Sequence, residues 1–125
     1  MKNLHLYLVL GIGILIVGYL LLSTSTPNQK KMDELATCLG AKGVKMYGAF
    51  WCPHCNEQKK MFGNSFSKIQ YVECSTPDGK GQLQVCKDAG IDGYPTWEFP
   101  NGVRASGELK PQDLAQKSGC AYSEN

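Results

Sequence analysis

Cys52 and Cys55, separated by Pro53 and His54 and preceded by Trp51, are the residues of this 125-residue chain whose types and spacing best suit chemistry. A C-x-x-C pair serves thiol–disulfide exchange or metal binding. Exchange needs one thiol ionised at neutral pH, because the thiolate is the nucleophile and the better leaving group. A helix start favours that ion through its unpaired backbone N–H groups and the helix dipole. Pro53 marks such a start, since proline at the first helical position sacrifices no hydrogen bond. Cys52 then stands at the helix N-terminus as the attacking thiol, and Cys55 lies one turn further in, placed to resolve a mixed disulfide. His54 either adds a donor or positive charge that favours the Cys52 thiolate, tuning the pair, or is an exposed residue of no consequence.

Metal binding has less support. A structural zinc site needs two further ligands, usually a second close cysteine pair or a histidine pair. Cys74 and Cys86 are twelve residues apart, and His54 is the only histidine outside the apolar N-terminal run. No metal and no cofactor are expected.

The elements that must position these thiols can be read from periodicity. Val44 to Phe50 is rich in β-branched and aromatic residues, which predicts a strand covered on both sides and running into Cys52. Pro53 to Gly63 predicts the helix that Cys52 opens, with Gly63 as its stop. Before them, Met32 to Leu39 has apolar residues at helical spacing and Gly40 as a stop. After them come a strand at Ile69 to Glu73 and a short helix at Gln82 to Ala89. Thr96 to Phe99 and Val103 to Ser106 flank Asn101-Gly102, a strong hairpin signal. Pro111 to Ser118 gives a closing helix before Gly119.

Four segments follow: a flank 1–3, an apolar anchor 4–22, a linker 23–31 and one domain 32–125. The anchor is 19 residues long, enough to cross a bilayer as a helix, and only STST follows it where a signal peptide would show a small-residue cleavage site. Its nearer basic flank, the amino terminus with Lys2, favours an orientation with the domain outside. The linker is polar and contains Pro27, so it reads as a tether. Without Lys2 the remaining charges are 12 basic against 11 acidic and scattered, which argues against nucleic acid as a partner. Six cysteines behind a membrane anchor suit an oxidising compartment.

A second motif, Gly93-Tyr94-Pro95-Thr96-Trp97, opens the hairpin, with Pro95 forty residues after Cys55. Trp51-Cys52-Pro53-His54-Cys55 together with Tyr94-Pro95-Thr96 resembles the thioredoxin superfamily, and the C-P-H-C core is similar to that of strongly oxidising periplasmic disulfide oxidases. The strings KMYGAFWCPHCNEQKKMFG, YVEC and GIDGYPTW resemble more closely the thioredoxin-like domain fused to, or encoded beside, vitamin K epoxide reductase homologues. The resemblance covers about residues 32 to 120 and implies an α/β thioredoxin-like fold: a mixed four-stranded sheet flanked by helices. It implies that Pro95 is cis and faces the redox cysteines, with the backbone of Tyr94, Pro95 and Thr96 pairing with an extended substrate. It further implies a role in oxidising protein thiols, with a quinone-linked membrane oxidase of the vitamin K epoxide reductase kind as partner. The expected location is the cytoplasmic membrane, single-pass, with the domain on the extracytoplasmic side. Cytosolic thioredoxins keep a buried acid six residues before the first cysteine, where this chain has Met46; the branch just named also lacks it.

Compartment and spacing make Cys74 and Cys86 a candidate disulfide, the alternative being two buried thiols; the same two positions occur in the branch the chain resembles. Cys38 and Cys120 lie near the ends of the first and last helices of the domain, and their pairing depends on a Cα separation within about 7 Å that the sequence does not set. Other functions compete with the oxidase: an anchored reductase of the cytochrome c maturation type, a copper or metal-binding module of the same fold, and an adaptor with all six cysteines as staples. The metal module lacks a histidine after residue 55, and the adaptor leaves Trp51 and Pro95 without a shared explanation.

Overall fold

A computed structural model of the chain describes residues 2–22 and 26–123. Helix α1 (Lys2–Leu22) is apolar and long enough to cross a membrane, about 30 Å at 1.5 Å per residue, and its described side chains lie outside the core. The remaining elements are α2 (Pro27–Ala41), β1 (Lys45–Gly48), α3 (Pro53–Phe62), β2 (Gln70–Glu73), α4 (Gln84–Asp88), β3 (Thr96–Glu98), β4 (Arg104–Ser106) and α5 (Pro111–Ser118).

The sheet order is β2-β1-β3-β4. Strand β1 runs parallel to β2, with Met46 opposite Tyr71 and Gly48 opposite Glu73. It runs antiparallel to β3, with Met46 opposite Trp97, and β3 and β4 form the hairpin. One core joins Leu35 and Leu39 of α2, Met46, Phe62 of α3, Trp97 and Leu114 of α5. A smaller core on Tyr47, of opposite pleat, gathers Cys74, Cys86 and Ile91. This is the mixed, helix-flanked four-stranded sheet expected.

Several boundaries differ from the sequence expectation. Helix α2 begins at Pro27 rather than Met32, so residues 27–31, expected within the tether, are helical. The cause is local: Thr26 caps the helix by accepting a hydrogen bond from the Gln29 N–H, and Pro27 occupies the first turn. Ser23, Thr24 and Ser25 of the expected linker lie outside the described residues, as do Met1 of the flank and Glu124 and Asn125 of the domain. Strand β1 ends at Gly48, because the chain turns there and the Cys52 N–H donates to the Ala49 carbonyl at 3.0 Å. Phe50, expected on the covered strand, is exposed. Helix α4 starts at Gln84, since Gln82 forms an isolated bridge with Ser75 and sends its amide to the Ile91 carbonyl at 2.7 Å.

A 3₁₀ segment, Gly63–Lys68, follows α3 and was not foreseen. It packs on α2, where a Cβ on Gly40 would lie 2.1 Å from the Lys68 carbonyl oxygen, so only glycine permits the approach. Lys68 and Asp33 form an ion pair across the same contact.

Both candidate disulfides are formed. Cys74 joins Cys86, and Cys38 joins Cys120 with Cα atoms 6.0 Å apart. The first links the end of β2 to α4; the second ties α2 to the chain beyond α5.

Candidate active site

Cys52 and Cys55 are the two cysteines left free, and both are buried, Cys52 at 5% exposure and Cys55 at 0%. Cys52 is the N-cap of α3, with extended backbone, and its sulfur accepts a hydrogen bond from the Cys55 N–H at 3.4 Å. That N–H is one of the unpaired donors every helix start offers, so the sulfur sits where negative charge is stabilised. Cys55 lies inside the first turn against the sheet. Burial, reinforced by its contact with Cys52, pushes the Cys55 thiol up to about 12, although the Ala49 backbone and the Lys59 charge work in the other direction.

On the far side of Cys52 lies the carbonyl oxygen of Tyr94, 3.7 Å from the sulfur, and the Tyr94-Pro95 peptide bond is cis. The Pro95 carbonyl is occupied, accepting from the Gly107 N–H at 2.8 Å. The Tyr94 hydroxyl accepts from the Gln82 amide at 2.9 Å, and its ring meets Trp51 edge-on at 6.1 Å. Trp51 is half exposed, and its indole N–H donates to Ser75 Oγ at 2.8 Å. The structure therefore brings Trp51, Cys52, Tyr94 and Pro95 together. Thr96 is placed differently: it is buried, and its hydroxyl donates back to the Gly93 carbonyl at 2.8 Å.

His54 is largely exposed, and its Nδ1 lies 2.6 Å from a carboxylate oxygen of Glu108. Next to Glu108, the Leu109 backbone is held at both its N–H and its carbonyl by the buried Gln58 of α3, at 2.7 and 3.0 Å. The segment before α5 is thus fastened along the helix that carries the cysteines. Among the described residues, no group of three or more His, Cys, Asp or Glu side chains could hold a metal ion.

Residues that sequence reasoning missed lie beneath Cys55. Tyr71 and Glu73 alternate on β2 and so share the sheet face with Met46 and Gly48. A Cβ on Gly48 would stand 3.0 Å from Cys55 Sγ and 3.2 Å from the Tyr71 hydroxyl. The Tyr71 O–H donates to Glu73 at 2.9 Å, and the other Glu73 oxygen accepts from the N–H groups of Ser75 and Phe50 at 2.8 and 3.3 Å. Lys59 lies 3.7 Å above the Tyr71 ring centre. The available signals were the period-two spacing of Tyr71 and Glu73 and a glycine inside a strand, which marks close approach.

No family model matches the chain. Among curated proteins it is similar to the thiol-disulfide oxidoreductase LTO1 of Arabidopsis thaliana, 48% identical over 95 residues, which are 72% of this chain and 25% of that protein. It is also similar to a thioredoxin domain-containing protein 5 homolog of Drosophila melanogaster, 33% identical over 92 residues, which are 63% of this chain and 21% of that protein. The fold of the domain is thioredoxin-like. The chain spans a quarter or less of the length of these relatives, so the likeness bears on the thioredoxin-like domain alone. Within that domain the helix-capping Cys52, the buried Cys55 and the Tyr94-Pro95 loop form one contiguous site.

Proposed function

We propose that the protein is a membrane-anchored thiol-disulfide oxidoreductase that oxidises protein thiols through Cys52 and Cys55 and passes the electrons to a quinone-linked membrane oxidase resembling vitamin K epoxide reductase. The observation that carries the reading is the division of the cysteines: four are locked in disulfides, and the two left free stand at the start of α3 beside the Tyr94 carbonyl. The name of the Arabidopsis relative supports the same chemistry.

In the oxidised state a substrate thiolate attacks Cys52 Sγ. The Cys52–Cys55 bond breaks, a Cys52–substrate disulfide forms, and Cys55 leaves as a thiolate that takes up a proton. A second substrate thiolate then attacks the substrate sulfur, its disulfide forms, and Cys52 leaves as a thiolate stabilised by the Cys55 N–H and the helix start. Two electrons have moved from substrate to the Cys52–Cys55 pair. Resetting reverses the exchange on a disulfide of the membrane oxidase: Cys52 attacks, Cys55 resolves, and the partner disulfide is reduced. Tyr94 presents its backbone to an extended substrate beside Cys52, Pro95 places that residue, and Trp51 provides an exposed aromatic wall. His54, with Nδ1 2.6 Å from a Glu108 carboxylate oxygen, tunes the thiol pair from beside the helix start. Pro53 fixes that start.

Helix α1 serves as the single-pass anchor in the cytoplasmic membrane, with the domain on the extracytoplasmic side. The experiment is Cys55→Ala in cells, anchor intact, read on non-reducing gels with protease added to spheroplasts. Disulfide-linked complexes with both exported proteins and a membrane oxidase, all on a protease-accessible domain, are expected. Trapping of exported proteins without any membrane oxidase would overturn the relay, and a protected domain would overturn the orientation.

A further inference from the structure

Resting on the dithiol reading above, we infer that Tyr71 and Glu73 form the proton path of Cys55, taking the place of the buried acid that Met46 replaces. The resolving thiol must lose a proton before it attacks and regain one when it leaves, yet it is fully buried. A sulfur in that position exchanges its proton with bulk water only slowly, so at neutral pH it needs an internal acceptor.

The geometry supplies one. Cys55 Sγ and the Tyr71 hydroxyl both close on the Cβ position of Gly48, to 3.0 and 3.2 Å, so no side chain stands between them. The hydroxyl is already hydrogen-bonded to a Glu73 oxygen at 2.9 Å. Glu73 in turn is fixed by the N–H groups of Phe50 and Ser75, which flank the active-site loop and the Trp51 anchor point. Register places all of this on one sheet face: Met46 opposite Tyr71, Gly48 opposite Glu73. The ionisable groups facing Cys55 are Cys52 and Lys59 from α3 and Tyr71 and Glu73 from β2.

As Cys55 resolves a mixed disulfide, its S–H proton passes to the Tyr71 oxygen while the Tyr71 O–H proton passes to Glu73. The Cys55 thiolate attacks Cys52 Sγ, the Cys52–Cys55 bond forms, and the other sulfur departs as a thiolate. Glu73, partly exposed, passes the proton on to solvent, and when the disulfide is opened again the same path run backward reprotonates Cys55. Burial and the neighbouring Glu73 hold the Tyr71 hydroxyl above its usual range, so Tyr71 carries the proton through rather than giving it up. Lys59, close over the Tyr71 ring, favours the negative sulfur while the proton is away.

The test is single-turnover oxidation of the full chain in detergent by oxidised glutathione, acid-quenched and read by mass spectrometry from pH 5 to 9. Three species are resolved: dithiol, Cys52-glutathione mixed disulfide, and Cys52–Cys55 disulfide. Tyr71→Phe and Glu73→Gln are compared with wild type; Glu73→Gln keeps acceptor oxygen for Phe50 and Ser75 and so separates proton transfer from folding. Expected is a normal first step and a resolution step slowed by roughly 10- to 100-fold at pH 7, recovering as pH rises and hydroxide replaces the acceptor. A uniform loss of rate at every pH would mean a structural role and overturn the path. Resolution at the wild-type rate and pH profile in both variants would overturn the path and leave the dithiol reading standing. Wild-type protein that forms no Cys52–Cys55 disulfide at all would overturn that reading and the path with it.

Discussion

Gly48 and Cys55 are matched to each other: a side chain of even one carbon on Gly48 would stand 3.0 Å from the Cys55 sulfur and 2.9 Å from the Tyr71 ring. The strand that leads to the active-site turn has therefore given up a side chain to let the resolving thiol sit against the sheet. Gly48→Ala is expected to cost about 1–3 kcal/mol through overpacking, more than the ~0.4–1 kcal/mol that Gly→Ala gains by stiffening the unfolded chain. Urea unfolding of the reduced protein measures the loss. A neutral or stabilised variant would show that the space is not filled in solution.

The two structural disulfides should contribute unequally. Cys74–Cys86 closes a loop of sequence separation 12 and Cys38–Cys120 one of 82. Restriction of the unfolded chain then favours the folded state by about 3 and about 4.5 kcal/mol respectively. Replacing each pair by serine and comparing denaturant midpoints should show the larger loss for Cys38 and Cys120. The reverse order would mean that local packing around α4, rather than chain entropy, dominates.

Alkali should separate the redox states. Below pH 9.0, the ordinary thiol value, Cys55 is protonated in both the folded and unfolded reduced chain and has no effect on the balance. Above it, the unfolded chain ionises while the folded thiol, pushed up to about 12 by burial, resists, so folded-state stability falls as pH rises from about 9 toward 12. In the oxidised protein Cys55 is in a disulfide and does not titrate. Melting both forms at pH 7.5 and pH 10 should show the reduced form losing more; parallel losses would contradict the buried assignment of Cys55.

Much of this organisation is legible in the chain because punctuation marks it. Helix α5 runs from Pro111 to Ser118 as expected, since Pro111 fixes its first turn and Gly119, with φ of 69°, its left-handed end. The start of α2 was harder to see. Asn28, Gln29, Lys30 and Lys31 show no apolar period, yet Gln29 anchors the turn by donating to Ser65 Oγ at 2.7 Å. That partner lies on the 3₁₀ segment, which no local pattern announced. Cys52, Cys55, Tyr94 and Pro95 could be picked out by residue type and short spacing, and the fold brings them together. Tyr71 and Glu73 could not, because only the parallel pairing of β1 with β2 carries them beneath Cys55. The Cys38–Cys120 bond has the same character: it depends on where α2 and α5 meet.

If Cys52 and Cys55 act as an oxidant, the reduction potential of that pair must show it. Equilibrating the full chain in detergent with glutathione buffers of graded ratio, then trapping free thiols by alkylation, gives the value, with Cys55→Ala as the blank. A potential between about −200 and −120 mV is expected, the range of disulfide isomerases and strong disulfide donors. A value at or below about −270 mV, that of reducing thioredoxins, would contradict it and reverse the direction of electron flow.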